Sequence, residues 1–144
     1  ENSYFPPEGK RGVGFSRSNL FGKRFKQSIK SKTKPIIIAM IESKEGVKNL
    51  NEILTVKGLD AILIGPYDLS SSLKITGKFN HPKFKSVINE IKTKAKNKKI
   101  PVGIHVLETK LKNVKSYLKK GFKFIPYGTD AHLLNNSILK SFKN

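Results

Sequence analysis

From Pro35 onward the chain alternates between short continuous apolar runs and longer segments in which apolar residues recur every three or four positions. The run from Ile36 to Ile41 reads Ile-Ile-Ile-Ala-Met-Ile, which predicts a strand buried on both faces. Lys44 to Thr55 follows with Val47, Leu50, Ile53 and Leu54 at helical spacing, and Gly58 closes it. Ala61-Ile62-Leu63-Ile64 predicts a second buried strand. His81-Pro82 opens a helix with Phe84, Val87, Ile88, Ile91 and Ala95 along one face, and Pro101-Val102-Gly103-Ile104 predicts a third strand. A helix carrying Leu107, Leu111, Val114 and Leu118 ends at Gly121, and Phe122 to Pro126 predicts a fourth strand. Asp130 or Thr129 caps a last helix through Leu139.

The order β-α-β-α-β-α-β-α with short connections predicts a parallel sheet with crossover helices. Four such units are half of an eight-stranded (β/α)8 barrel, and alone they leave two open edges. An open doubly wound sheet is the alternative, but no Gly-x-Gly-x-x-Gly follows any strand and no Walker lysine loop is present. Residues 1–34 read differently. Pro6-Pro7, Gly9, Gly12 and Gly14 precede a basic polar stretch, predicting an irregular lead with one short helix near Asn19 to Ser28. The expected organisation is therefore a loop-rich lead over 1–34 and a partial (β/α)8 barrel over 35–144.

Composition narrows the function classes. The 144 residues suffice for one domain with a real core. No apolar run approaches the ~18 residues needed to cross a bilayer, and Glu1 to Phe5 does not resemble a signal peptide. The lack of cysteine excludes disulfides and thiolate metal sites, and fits a cytoplasmic protein. The chain opens on Glu-Asn-Ser without an initiator methionine, as a cut piece of a longer protein does. The net charge of +19 raises a nucleic-acid reading. Of the 29 basic residues, however, only Arg11, Arg17 and Arg24 are Arg. Sequence-reading binders lean on Arg for bidentate contacts. The lysines are spread over every predicted helix, and Lys, Asn and Ile are abundant together, as in AT-rich coding. The charge reads as a solvated lysine surface with no specific nucleic-acid partner, although polyanions should adhere at low salt.

In β/α barrels the chemistry lies at the C-terminal ends of the strands. The residues there are Glu42-Ser43, Gly65-Pro66-Tyr67-Asp68-Leu69-Ser70, His105, and Tyr127-Gly128-Thr129-Asp130. Glu42 and Asp68 follow successive strands. If those strands are neighbours about 4.8 Å apart, the two carboxylates can share a divalent ion. Two carboxylates with water, and no Cys or paired His, suit Mg2+ or Mn2+ more than Zn2+. Taken singly, Glu42 could be a surface acid paired with a lysine, and Asp68 could be a helix N-cap.

The segment from Tyr4 through Pro6-Pro7-Glu8-Gly9-Lys10-Arg11-Gly12-Val13-Gly14 is followed by Ile41-Glu42-Ser43 and Val47-Lys48-Asn49-Leu50-Asn51-Glu52-Ile53-Leu54. Gly58-Leu59-Asp60-Ala61 and Gly65-Pro66-Tyr67-Asp68-Leu69-Ser70 come next, and His81-Pro82, Gly121 and Asp130 extend the match over essentially the whole chain. This pattern resembles the HpcH/HpaI aldolase family, metal-dependent class II aldolases of 2-oxo acids. The resemblance implies a (β/α)8 barrel in which Glu42 and Asp68 bind the metal. It implies that the backbone amides of Tyr67 and Asp68 contact the carboxylate of a pyruvate-like 2-oxo acid. The metal would act as Lewis acid, stabilising the enolate formed when a carbon–carbon bond to an aldehyde breaks. It also implies a homo-oligomer for the full-length protein.

Two departures from the family pattern stand out. Met40 occupies the position, two residues before the metal Glu, where the family's aldolases usually carry a substrate-contacting Gln. The family's catalytic His and keto-stabilising Arg lie in the first half of the barrel, ahead of Glu1. His105 and Arg11 are not assigned those roles, and His81 and His132 have no acidic partner at useful spacing. The expectation is a carbon–carbon lyase whose metal ligands are present here and whose catalytic base is not. A citrate or malyl-CoA lyase-type enzyme and a non-catalytic half-barrel assembly partner are the alternatives.

Overall fold

The computed structural model describes residues 2–30, 34–107 and 111–142. The chain divides into two units, Glu1–Ile37 and Ile38–Asn144.

The first unit is mostly irregular. It holds a 3-10 turn at Arg17–Asn19 and one helix, α1 (Phe25–Lys30), in the region where the sequence predicts a short helix. The expected lead also takes in Glu1 and residues 31–33, which lie outside the described residues. Buried Asn19 organises the turn: its Oδ1 accepts from the amides of Ser16 (2.9 Å) and Gly22 (3.0 Å), and its Nδ2 donates to the Gly14 carbonyl (2.9 Å). The Arg11 guanidinium lies over the Phe5 ring, 4.7 Å from its centroid, so Arg11 braces its own loop.

The second unit carries the sheet. Strands β1 (Ile38–Ile41), β2 (Ala61–Ile64) and β3 (Val102–Ile104) are parallel and adjacent in chain order, β1-β2-β3. The helices between them are α2 (Lys44–Lys48), α3 (Leu50–Ile53), α4 (Pro66–Ser72) and α5 (Pro82–Asn97), and α6 (Leu111–Lys119) and α7 (Asp130–Ser141) follow. Side chains alternate across a strand, so one row faces the helices. Ile41, Ile62, Ile64, Val102 and Ile104 make up that row, packed with Val47, Leu50, Leu54, Leu69, Leu73, Phe84, Ile91 and Ala95. This is the core, and the α5 face read from its 3.6-residue period is the face that enters it.

Several expectations need correcting. The first strand is not buried on both faces: Ile38 is 45 % exposed and Met40 51 %. Both sit on the face opposite the helices, where a continuous apolar run cannot show whether a partner layer exists. On that same face, Leu63 pairs with Gly103 and Gly103 with Phe124. The Phe124 ring lies across Gly103, 2.5 Å from where a Cβ would stand.

In place of the predicted fourth strand over Phe122 to Pro126, the described residues show two isolated parallel bridges, Gly103 with Phe124 and, one residue past that run, Val106 with Tyr127. Val106 N–H donates to Pro126 C=O (3.0 Å) and Gly128 N–H to Val106 C=O (2.8 Å), a regular parallel pattern. One step earlier that pattern calls for an N–H at position 126, and Pro126 has none to give to Ile104.

The helix expected from Lys44 to Thr55 breaks at Asn49 into α2 and α3. Helix α6 starts after Leu107 and leaves Leu118 exposed, while Tyr117 packs on the core. The side chain expected of Leu111 in that helix face lies outside the described residues. Thr129, not Asp130, caps α7, its Oγ1 accepting from His132 N–H (3.2 Å).

Candidate active site

Glu42 follows β1 directly, and Ser43 then caps α2 by accepting from Gly46 N–H at 3.0 Å. The sharp change from strand to capped helix presents the Glu42 side chain at the C-terminal edge of the sheet, where it is exposed. Gly65 sits beside it at the end of β2. A Cβ on Gly65 would stand 3.1 Å from Glu42 Cβ, 3.2 Å from its Oε2 and 3.6 Å from Met40 Sδ. Glu42 and Met40 thus approach the β2–α4 junction at a point that has no side chain of its own.

Gly65 is also the residue before α4, with Pro66 in the first helical position. The first intrahelical bond runs from Leu69 N–H to Gly65 C=O (3.0 Å). The amides of Tyr67 and Asp68 precede it and have no partner within the helix, an arrangement suited to an anionic group. Asp68 stands in the first turn of α4, so it is not the N-cap; its carboxylate is exposed. The Tyr67 ring is turned edge-on to Phe79, with centroids 5.0 Å apart. Beneath this turn, fully buried Ser70 donates to Tyr67 C=O (2.8 Å) and accepts from Gly77 N–H (3.0 Å).

Among the described residues, neither Glu42 nor Asp68 has a hydrogen-bond or ion-pair partner, on a chain with 29 basic residues. The two ordinary explanations of these acids, a surface ion pair and a helix cap, therefore do not describe them here. Their oxygens remain available as hard ligands, the kind that suits a divalent cation. No group of three or more His, Cys, Asp or Glu gathers among the described residues.

Two of the histidines serve locally. His81 Nδ1 accepts from Lys83 N–H (3.1 Å) as the cap of α5, and the His132 ring meets the Asn136 amide at 2.9 Å. His105 follows β3, and its backbone N–H donates to Ile64 C=O (3.1 Å).

A cavity of about 770 Å3 lies elsewhere, reaching Pro101 and Val102 at the start of β3, with Lys92, Lys96, Lys99, Lys120 and Lys123 around it. These lysines cluster at the C-terminal ends of α5 and α6, where cations offset the helix dipole. Lys92 Nζ donates to the Lys120 carbonyl oxygen. No helix among the described residues is long and apolar enough to cross a membrane.

Sequence reasoning singled out Glu42, Tyr67 and Asp68 as candidates. It missed Gly65 as a contact of Glu42, and it missed Ser72, whose Oγ accepts from Lys44 N–H at 2.8 Å. The first could be suspected from a glycine opposite a strand-end acid, but nothing in the sequence marks the second.

The chain is similar to several known proteins. A 5-keto-4-deoxy-D-glucarate aldolase of Salmonella gallinarum is 39 % identical over 94 % of this chain and 53 % of its own length. One from Citrobacter koseri is 36 % identical over 94 % of this chain and 52 % of its own. The crystal structure of an HpcH/HpaI aldolase/citrate lyase family protein from Burkholderia cenocepacia superimposes with a TM-score of 0.73 at 26 % identity, covering 98 % of this chain and 56 % of that one. The chain thus spans about half the length of the curated relatives it matches. The model of the HpcH/HpaI aldolase/citrate lyase family matches residues 3–137, and the chain belongs to that family.

Proposed function

We propose that this chain is the metal-binding part of a class II aldolase that cleaves or forms a carbon–carbon bond between a pyruvate-like 2-oxo acid and an aldehyde. The observation that carries the reading is the Glu42 carboxylate, unpaired among the described residues and seated against Gly65, with Asp68 in the helix that Gly65 begins. Glu42 and Asp68 are the residues that would hold Mg2+ or Mn2+, the remaining positions going to water and substrate oxygens. When bound, the cation supplies Lewis acidity toward the oxygens of the 2-oxo acid.

The chain's own groups orient the substrate. The Tyr67 and Asp68 amides donate to its carboxylate, adding the favourable end of the α4 dipole to an anion. Met40, beside Gly65, offers a thioether where the family pattern has an amide, so it packs against the substrate without donating to it. The relatives named as 5-keto-4-deoxy-D-glucarate aldolases suggest a 4-hydroxy-2-oxo sugar acid as the substrate class.

In this reading the protein works in the cytoplasm as a homo-oligomer, and its four βα units form half of an eight-stranded barrel. In this reading neither His105 nor Arg11 is assigned the role of base or keto-stabilising group, and the 144-residue chain by itself binds metal weakly and does not catalyse. The test is pyruvate release from a 4-hydroxy-2-oxo acid. Metal-dependent release by the chain alone would show that the catalytic base is here after all.

A second reading is favoured by exposed Ile38 and Met40 on the helix-free face of β1. In it the chain is a half-barrel that pairs with a separate set of βα units. Size-exclusion chromatography tests it: a monomer at all concentrations, with no change on mixing with four-unit partner halves, would remove this reading.

A further inference from the structure

Glu42 is held from both sides by the segment that carries Asp68. On its N-terminal side, Ile41 C=O accepts from Gly65 N–H at 3.2 Å. On its C-terminal side, Lys44 N–H donates to Ser72 Oγ at 2.8 Å, a bond between residues 28 positions apart. Both partners, Gly65 and Ser72, bracket α4, and Asp68 lies between them. We infer that Ser72 is a positioning residue that fixes the Glu42 turn to α4 and so sets Glu42 relative to Asp68. The inference rests on the metal reading above.

The chemistry distinguishes this role from ordinary capping. Lys44 N–H is one of the donors at the start of α2 that no intrahelical carbonyl can satisfy. The bond is exposed, so water replaces Ser72 Oγ with little loss of stability. What water cannot replace is the tether. With only the Gly65 link remaining, the Glu42 turn is held at one end, and a ligand held loosely binds its cation more weakly.

The experiment measures Mn2+ affinity of the chain by electron paramagnetic resonance, beside the thermal midpoint of the metal-free protein, in wild type, Ser72→Ala, Ser72→Thr and Glu42→Gln. The expected result is a loss of about tenfold or more in Mn2+ affinity for Ser72→Ala. Its metal-free midpoint should stay within about 4 °C of wild type, and Ser72→Thr, which keeps the hydroxyl, should restore the affinity. Wild-type affinity in Ser72→Ala, a larger fall in its metal-free midpoint, or failure of Ser72→Thr to restore binding would overturn the inference. If Glu42→Gln also binds as wild type, or the wild type does not bind, the metal reading falls and takes this inference with it. If Glu42→Gln alone loses affinity, only the role of Ser72 falls.

Discussion

Gly65 and Glu42 fit each other across the ends of two neighbouring strands: a Cβ on Gly65 would lie 3.2 Å from Glu42 Oε2. Gly65 has an ordinary φ of −91°, so it is required by this approach and not by its backbone. Gly65→Ala should push the Glu42 carboxylate aside by a few tenths of an ångström. Because Glu42 is exposed and can give way, the stability should change by no more than about 1 kcal/mol, read by urea unfolding, with Mn2+ affinity falling at the same time. Unchanged affinity would place the metal away from Glu42.

Ser70 should matter for stability without touching the site. It is fully buried and joins Tyr67 C=O to Gly77 N–H. Ser70→Ala leaves the Gly77 donor without its acceptor, costing about 1–3 kcal/mol. Equilibrium urea unfolding checks this, and a cost under a few tenths would show that the Gly77 amide finds another acceptor.

Gly103 and Phe124 form a second close pair, on the helix-free face. Gly103→Ala would bring a methyl group within 2.5 Å of Phe124 ring carbons, and the ring must move. Overpacking of this kind costs about 1–3 kcal/mol. Combining it with Phe124→Leu should relieve part of that cost, which a double-mutant cycle measures as a non-additive term. Strict additivity would contradict the contact.

The lysine-lined cavity of about 770 Å3 should bind polyanions through charge alone. Heparin or single-stranded nucleic acid should bind at about 50 mM salt and release by about 200 mM, with no preference for sequence. Fluorescence anisotropy across that salt range checks it. Tight binding that survives 200 mM salt would restore the specific nucleic-acid reading that the scarcity of Arg argues against.

The layout of the second unit was legible because its elements differ in period. Runs of four to six apolar residues separated by 3.6-period segments specify strands and helices, and the α5 face came out residue by residue. The faces of β1 were not legible, since Ile38 and Met40 are as apolar as Ile41 whether or not a layer covers them. The fourth strand was weakened by Pro126, visible in the sequence but readable only once its partner Ile104 was known. The strand-end acids were legible from their position, whereas the tether from Ser72 to Lys44 joins residues 28 apart and leaves no local pattern.

The most direct test of the central claim is Mn2+ binding to the chain, compared among wild type, Glu42→Gln, Asp68→Asn and the double variant. If both carboxylates hold one ion, each single variant loses most of the affinity and the double loses little more, with the metal-free fold of all four alike by circular dichroism. Equal affinity in wild type and in both single variants would contradict the account.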